Sequence, residues 1–177
     1  MTDEELIEGS KAKNPIAQRQ LYEKYNRKMM GICLRYSSNK DEALDILQDG
    51  FVKVFDKMET YQGQGSFEGW MRKIFVNTAL DQIRKNKERK FDADIDEMDY
   101  ALDSGLNIES DMNAQELLNI LQKIPAGYRM VFNMFAIEGF SHKEIADELG
   151  VSESTSKSQY LRAKGYLLKI MQKQKML

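Results

Sequence analysis

The spacing of the apolar residues constrains the fold of this chain more than any other feature of its sequence. In nearly every apolar segment these residues recur at steps of three or four, the period of one face of an α-helix. Only two prolines are present to interrupt the pattern. A chain of 177 residues with 42% hydrophobic content is long enough for one medium domain or two small ones. We therefore predict an all-α protein with packed cores.

Three helices are predicted in the N-terminal half. The first has Asn14 as its N-cap and Pro15 in its first turn. The second is capped by Asp41 and contains Gly50, at a cost of about 1 kcal/mol relative to alanine. The third follows a flexible break at residues 63–66. Their buried stripes are predicted to be Ala17, Leu21, Tyr25, Met29, Ile32 and Tyr36; then Ala43, Leu44, Leu47, Phe51, Val54 and Phe55; then Phe67, Trp70, Ile74, Leu80 and Ile83.

The charged residues are unevenly distributed, although the formal net charge is only -2. Residues 71–90 carry seven Lys/Arg against two Asp/Glu, and residues 113–177 carry nine against six. Between these basic blocks, residues 91–112 carry eight acids and no base, without a sustained helical stripe. The pattern predicts two small helical domains, residues 1–90 and 113–177, joined by a flexible acidic linker at residues 91–112. Each domain would have a surface for an anionic partner.

The C-terminal domain has the pattern of a helix-turn-helix. Ser141 and Glu144 have the spacing of a capping box, Gly150 closes the helix that they begin, and Ser152 is placed to cap the next helix. A second helix of this kind is sized for the major groove of DNA. Its buried side is predicted to be Ser156, Tyr160, Ala163 and Leu167, and its exposed side Thr155, Lys157, Ser158, Gln159 and Arg162. The exposed set suits base edges and phosphates, although a helical hairpin with a solvated face would share the pattern.

Three blocks of sequence, in this order, resemble the extracytoplasmic-function (ECF) class of bacterial RNA polymerase sigma factors. The blocks are DILQDGF at residues 45–51, FEGWMRKIFVNTA at residues 67–79 and EGFSHKEIADELGVS at residues 138–152. The resemblance implies a protein that binds core RNA polymerase and directs initiation at specific promoters. It would recognise their -35 and -10 elements and assist melting, without catalysing a reaction itself.

The resemblance also implies which residues carry these roles. The second helix would dock on the clamp helices of the polymerase through Asp45, Gln48, Asp49, Phe51 and Lys53, although a solvated surface would give the same polar stripe. The third helix and the loop before it would bind the melted, single-stranded -10 element through Gly63, Gln64, Gly65, Ser66, Phe67, Asn77, Arg84 and Lys85. Single-stranded DNA is bound by a cationic track with stacking rings, and an extruded base needs a pocket. The exposed side of the second helix of the helix-turn-helix would read the duplex -35 element.

Several single residues are interpreted separately. Trp70 is assigned mainly to the core, and Cys33, the only cysteine, is expected to be a buried thiol. His142, the only histidine, is expected to be a solvated residue at a helix start. Ser156 stands where the family usually has a small aliphatic residue, and Gln159 where it often has arginine. The recognition helix therefore departs from the family at two positions.

Two other functions fit parts of the sequence. A helix-turn-helix repressor or response-regulator output module explains the C-terminal half but leaves the first helices without a role. The second alternative is an enzyme whose metal is bound by the linker acids, or by Asp41, Glu42, Asp45 and Asp49. The sequence has neither a phosphate-binding glycine loop nor the Glu-x-x-His pair of a helical di-iron centre. We therefore expect no enzymatic activity, no metal and no cofactor.

The sequence and the family resemblance also indicate the partners and the cellular location. No segment approaches the length of a membrane span or has the apolar region of a signal peptide. We expect a cytoplasmic protein without membrane insertion that is a monomer when free. Its expected partners are core RNA polymerase and promoter DNA, and the resemblance allows an anti-sigma factor as a further partner.

Overall fold

The computed structural model describes residues 1–89 and 113–175, and the chain divides into two compact units, Met1–Arg89 and Lys90–Leu177. Every regular element in the described ranges is helical, which confirms the predicted all-α fold with two domains. The predicted acidic linker, residues 91–112, lies outside the described residues.

The helices of the described ranges are numbered in chain order. They are α1 (Asp3–Lys11), α2 (Pro15–Tyr36), α3 (Lys40–Asp56), α4 (Phe67–Arg89), α5 (Ala114–Leu121), α6 (Ala126–Phe132), α7 (His142–Leu149) and α8 (Glu153–Lys175). A short 3₁₀ turn, Met58–Thr60, lies between α3 and α4, and a π-helical segment, Asn133–Ile137, continues α6.

Helix α1 was not predicted from the sequence patterns above. It begins with a complete capping box, in which the Thr2 hydroxyl accepts from the Glu5 N–H at 3.2 Å and the Glu5 carboxylate accepts from the Thr2 N–H at 2.7 Å. Leu6 is buried in the unit. A Cβ atom on Gly9 would lie 2.6 Å from the Cβ of Ala17 in α2. The close approach at Gly9 lets α1 pack directly on α2.

Helices α2, α3 and α4 form the core of the N-terminal unit. Every residue of the predicted α2 stripe is buried, and so is Cys33. Helix α3 begins at the N-cap Asn39, whose side chain accepts from the Glu42 N–H at 2.9 Å. The predicted cap Asp41 is therefore wrong by two residues. The predicted α3 stripe is also wrong at Leu44, which is 41% exposed.

Gly50 allows α3 to approach α4 closely. A Cβ atom at this position would lie 2.2 Å from the ring of Phe75 in α4. The Phe51 ring packs edge-on against Phe75, with centroids 5.1 Å apart, and lies 4.7 Å from the ring of Tyr22 in α2. Gly50 therefore has a packing role that offsets its low helix propensity.

In the C-terminal unit, α5, α6 and α8 share one hydrophobic core. The core is built from Ile120, Leu121, Ile124, Tyr128, Phe132, Ala163 and Leu167. Arg129 of α6 is also buried, and its guanidinium donates to the carbonyls of Gln122 at 3.4 Å and Ile124 at 3.3 Å. These carbonyls follow the last turn of α5, where helical partners are lacking, so Arg129 stabilises the end of that helix.

Helix α7 and the start of α8 form the predicted helix-turn-helix. Ser141 accepts from the Glu144 N–H at 3.1 Å, which is the serine half of the predicted capping box. Gly150 ends α7 with a φ of 67°, in the left-handed region that glycine adopts without strain. Ser152 accepts from the Thr155 N–H at 3.1 Å. The predicted cap, turn glycine and second cap are therefore confirmed.

Candidate nucleic-acid interface

The exposed and buried faces of α8 are clearly separated near its start. Ser156, Ala163 and Leu167 are each 0% exposed. Of the predicted contact residues, three are exposed and two are half-buried: Lys157, Ser158 and Arg162, then Thr155 and Gln159. The structure therefore brings the predicted set to one side of the helix, with the two half-buried residues, four positions apart, along one edge. Leu161, which was not predicted, is also exposed on this helix.

The two cationic residues of this face are held differently. Arg162 donates from Nη1 to the hydroxyl of Tyr128 at 3.3 Å, and Tyr128 is buried in the core. Lys157 Nζ lies 3.6 Å from a carboxylate oxygen of Glu153, one turn earlier in α8. An exposed pair of this kind contributes about 0–1 kcal/mol. The guanidinium of Arg162 is therefore tied to the core, whereas the ammonium of Lys157 is paired at the surface.

His142 is not the solvated residue that the sequence led us to expect. Its ring stacks on Phe135, with centroids 4.2 Å apart and planes at 11°, and its Nδ1 lies 2.9 Å from the Oγ of Ser156. Burial lowers the pKa of His142, and the positive charge of Lys157 lowers it further, against an opposing effect of Glu153. The ring is therefore neutral near pH 7. Ser156, a departure from the family, forms a hydrogen bond with it.

A glycine-containing loop precedes α4 and has a defined shape. Gly63 and Gly65 have φ values of 75° and 76°, in the left-handed region. The Tyr61 hydroxyl donates to the Gly65 carbonyl at 3.0 Å, and the Ser66 hydroxyl accepts from the Gly69 N–H at 3.0 Å. All four predicted loop residues are exposed. Hydrogen bonds therefore fix an exposed loop against the first turn of α4.

Four aromatic rings cluster beside this loop. Phe67 lies 5.2 Å from Tyr61, 5.5 Å from Trp70 and 5.8 Å from Tyr25, measured between ring centroids. Phe67 is buried, as its place in the predicted stripe of the third helix indicated, so its side chain does not offer the direct contact with the -10 element that the resemblance implies. Trp70 is half-buried rather than fully in the core, as is Tyr61. The accessible aromatic surface next to the loop belongs to Tyr61 and Trp70.

One side of α4 presents polar and basic groups to solvent. Lys73, Asn77 and Arg84 are exposed, and their spacings of four and seven residues place them on one side of the helix. Lys85, beside Arg84, is also exposed. The carboxylate of Asp81 lies 3.6 Å from the Arg84 guanidinium. This acid therefore reduces the positive charge that the face presents.

The predicted polymerase-binding residues of α3 do not all share one environment. Asp45 and Gln48 are exposed. The Asp49 carboxylate accepts from the side-chain amide of Gln82 in α4 at 2.9 Å. Lys53 Nζ lies 3.6 Å from the carboxylate of Asp81, also in α4. Asp49 and Lys53 therefore bridge to the neighbouring helix.

The outer face of α3 is less polar than the sequence pattern indicated. Phe51 is only 4% exposed, so its side chain belongs to the core and is not a surface contact. By contrast, Leu44 is 41% exposed and Val52 is 59% exposed. With Gln48 between them at steps of four residues, these side chains lie on one face. The exposed face of α3 therefore combines aliphatic groups with acidic and amide groups.

Known proteins match both units of the chain. A Sigma-70 region 2 model matches residues 21–89, and a Sigma-70, region 4 model matches residues 114–167. The chain is 27% identical over 175 residues to the ECF RNA polymerase sigma-E factor of Haemophilus influenzae, covering 93% of this chain and 92% of that protein. It is 24% identical over 181 residues to the RNA polymerase sigma-H factor of Pseudomonas aeruginosa, covering 96% and 94%. The chain belongs to the ECF sigma factors.

A solved structure shares the fold. The sigma factor RpoE of Bartonella quintana, crystallised with the anti-sigma factor NepR, matches with a TM-score of 0.54 and 21% sequence identity. The match covers 87% of this chain and 96% of that one.

As an ECF sigma factor, the protein binds RNA polymerase and promoter DNA and directs promoter-specific initiation of transcription. The repressor alternative is not favoured, because the N-terminal unit that it leaves unexplained matches Sigma-70 region 2. The relatives named above are sigma factors, which are not enzymes.

The thiol of Cys33 is buried and is not part of these surfaces. Burial raises the pKa of the Cys33 thiol to about 12, so the thiolate that would react is scarce at neutral pH. Among the residues that the structure describes, no group of metal-ligating side chains is found. None of the helices in those ranges combines the length with the apolar composition that a membrane span requires.

Proposed function

We propose that three separate surfaces of this sigma factor divide the work of initiation. The outer face of α3 docks on the clamp helices of the polymerase. The loop before α4 and the exposed side of α4 bind the single-stranded -10 element. The exposed side of α8 reads the duplex -35 element. The observation that carries the proposal is the separation of a cationic, donor-rich face on α8 from a fully buried face on the same helix.

The α3 surface has the composition of a protein interface. Leu44 and Val52 provide exposed aliphatic groups, Gln48 lies between them, and Asp45 lies beside Leu44. Protein interfaces commonly have an apolar centre with a polar rim, and their energy is concentrated at a few central side chains. We therefore assign the main contact energy to Leu44 and Val52, and orientation to the polar pair. Asp49 and Lys53 support the face through their bonds to α4.

The -10 surface combines a loop, rings and a cationic track. The exposed loop at residues 63–66 and the half-buried rings of Tyr61 and Trp70 offer backbone donors and stacking surfaces to an extruded base. Asn77 offers an amide for a base edge. Arg84 and Lys85, two turns further along α4, are placed to follow phosphates. Phe67 acts from beneath as a buried support.

The -35 surface contains one side chain suited to a base and one suited to a phosphate. The planar guanidinium of Arg162 matches the O6 and N7 acceptors of guanine, and a bidentate contact of this kind provides about 1–3 kcal/mol of discrimination. The ammonium of Lys157 is a point charge near the start of α8, which suits a phosphate. Thr155, Ser158 and Gln159 supply further donors and acceptors.

We also propose the partners and state of the free protein. It works in the cytoplasm, where its polymerase is found, and is a monomer when free. An anti-sigma factor is a further partner, as the membership of this chain in the ECF class implies.

Variants of the three surfaces test the proposal. We expect the double variant Leu44→Ala/Val52→Ala to lower affinity for core polymerase, measured by titration of labelled core enzyme. Asn77→Ala should impair opening at the -10 element while leaving core affinity intact, and pre-melting the template should partly restore opening. Ile16→Ala is the matched control, because it removes an aliphatic side chain that is 61% exposed on α2. Equal loss of core affinity in the Leu44/Val52, Asn77 and Ile16 variants would contradict the division of surfaces.

The two cations of α8 are tested separately. Arg162→Ala should relax the base preference at one or two positions of the -35 element. Lys157→Ala should weaken binding to all sequences alike and change the log-log salt slope by about 1. Both effects are measured as holoenzyme affinity for single-base -35 variants at several salt concentrations. If neither substitution changes affinity or preference, α8 is not the reader of the -35 element.

A further inference from the structure

A side-chain contact joins the two helices of the helix-turn-helix across their glycine turn. It connects His142, the first residue of α7, with Ser156, near the start of α8. The His142 Nδ1 and Ser156 Oγ atoms are 2.9 Å apart, and Ser156 is 0% exposed. Water cannot reach this hydroxyl, so the hydrogen bond to His142 satisfies a group that would be costly to leave unpaired.

Aromatic rings fix the direction of the imidazole. Phe135, in the π-helical segment, stacks on His142 at 4.2 Å with an interplanar angle of 11°. Tyr160 of α8 lies 5.8 Å from the imidazole and 4.7 Å from Phe135, between ring centroids. The three rings therefore connect the segment before α7, the start of α7 and α8. With the plane of the imidazole held in this way, Nδ1 points at Ser156.

The position of Ser156 links this contact to the DNA-binding face. Ser156 lies between Thr155 and Lys157, and Arg162 follows six residues later on the same helix. A helix is stiff over such a distance, so the direction of all these side chains relative to α7 depends on where Ser156 is held. The backbone of the turn gives α8 its approximate path through Gly150. The side-chain contact adds a directional constraint to this backbone path.

We propose that the His142–Ser156 hydrogen bond locks the angle between α7 and α8, and that His142 is a positioning residue for recognition of the -35 element. The proposal rests on the proposed function of the exposed side of α8. His142 acts through Ser156 and does not itself contact DNA. The serine that departs from the family is therefore one half of a matched pair.

A double-mutant cycle in the holoenzyme tests the lock. The variants are His142→Ala, Ser156→Ala and the two combined, and the measurement is affinity for a preferred -35 element and for its single-base variants. Each single change should lower affinity for the preferred element about three- to tenfold, the range of one net hydrogen bond. It should also reduce the difference in affinity between the preferred element and its single-base variants. The combined variant should bind no more weakly than the weaker single variant, because both changes remove the same contact.

A matched serine provides the control. Ser154 lies in the same turn of α8 and is exposed. Any effect of Ser154→Ala should add to that of His142→Ala, since the two residues do not share a contact. Affinity of the holoenzyme for a pre-melted -10 template, which does not involve α8, should be unchanged in every variant.

Nuclear magnetic resonance gives a second readout that does not depend on DNA. The chain has one histidine, so all imidazole nitrogen signals come from His142. Ser156→Ala should shift the Nδ1 signal and change the tautomer balance, because the hydrogen bond at one nitrogen sets the tautomer. Ser154→Ala should leave the signal in place.

The outcomes separate the lock from the function on which it rests. Additive losses in the cycle, or an unchanged Nδ1 signal in Ser156→Ala, would overturn the lock. If the wild-type holoenzyme has no base preference at -35, the proposed function of α8 fails and the positioning role fails with it. If the wild type discriminates and the His142 and Ser156 variants discriminate equally well, the lock alone is wrong.

Discussion

At the scale of single residues, the side chains proposed to meet DNA are supported by groups that do not meet it. Arg162 is the clearest case, because its guanidinium donates to the hydroxyl of Tyr128, which is buried in the core of the C-terminal unit. A base contact needs a defined direction, and a flexible arginine loses entropy when it is fixed. We therefore expect the Tyr128 hydroxyl to contribute to recognition by limiting the positions of Arg162 before DNA arrives.

Removing this hydroxyl should weaken discrimination. We expect Tyr128→Phe to relax the -35 preference at the same positions as Arg162→Ala but to a smaller extent, with a loss of unfolding free energy of about 1 kcal/mol or less. Holoenzyme affinities for single-base -35 variants provide the measurement. Tyr166→Phe is the control, since it removes a hydroxyl from the ring that packs 5.7 Å from Tyr128. A changed preference at positions unrelated to Arg162 would argue against this role.

Asp81 opposes the cationic track of α4. Its carboxylate lies 3.6 Å from both Arg84 and Lys53. We expect Asp81→Asn to increase holoenzyme affinity for a pre-melted template and to steepen its dependence on salt, because one negative charge beside the phosphates is removed. Unchanged affinity and slope in Asp81→Asn would show that this part of α4 is not close to the DNA backbone.

His142 should make the stability of the C-terminal unit depend on pH. Its folded pKa lies below the ordinary value of 6.5, because of burial and then the charge of Lys157, with Glu153 opposing. Below pH 6.5 the unfolded chain therefore binds more protons than the folded one, and the unfolding free energy should fall as the pH decreases from that value. Denaturant titrations at several pH values between neutrality and mild acid measure this.

The control is His142→Asn, which removes the only histidine. In this variant the stability should be nearly flat over the same interval, before the carboxyl groups titrate. An equally steep dependence in both proteins would show that other groups cause it.

At the scale of helices, two glycines have opposite roles. A Cβ atom on Gly50 of α3 would lie 2.2 Å from the Phe75 ring, whereas one on Gly31 of α2 would have no atom within 4 Å. We expect Gly50→Ala to destabilise the N-terminal unit by about 1–3 kcal/mol through overpacking. Gly31→Ala should stabilise it by about 0.5–1 kcal/mol, because alanine is the better helix former. Chemical denaturation of both variants is the measurement, and effects of the same sign would contradict the packing of α3 on α4.

Most of the helices could be predicted because their signals are local. Asn14, Ser141 and Gly150 mark their helix ends through groups within a few residues, and these predictions are confirmed. Helix α1 carries the same kind of signal, the Thr2–Glu5 capping box, but its apolar stripe is too short for the helical period to indicate a helix. Asn39 and Asp41 are both residue types that serve as N-caps, and their spacing alone does not show that Asn39 is the cap.

The assignment of exposed and buried side chains was harder to predict. The helical period correctly separated Lys157 and Arg162 from Ala163, because α8 has one covered side. In α3, which has neighbours on two sides, the period correctly placed Phe51 in the buried stripe but wrongly placed Leu44 there. Contacts between distant residues, such as Arg162 with Tyr128, have no signal in a single sequence.

At the scale of the whole molecule, the net charge indicates that tight binding to promoter DNA depends on a partner protein. The net charge of the chain is -2, so we expect its own electrostatic attraction to promoter duplex to be weak despite its basic blocks. The proposed division of surfaces gives α3 to the polymerase and α4 and α8 to DNA. Tight and specific promoter binding is therefore expected only when core polymerase holds the protein.

Transcription in vitro with core polymerase on a pool of genomic templates, followed by mapping of the start sites, tests this account most directly. The account predicts that adding the protein directs core enzyme to discrete start sites that share one -35 and one -10 motif, while the free protein binds the same promoters weakly. Start sites that do not change on addition of the protein would contradict it. So would tight, sequence-specific binding by the free chain that core polymerase leaves unaltered.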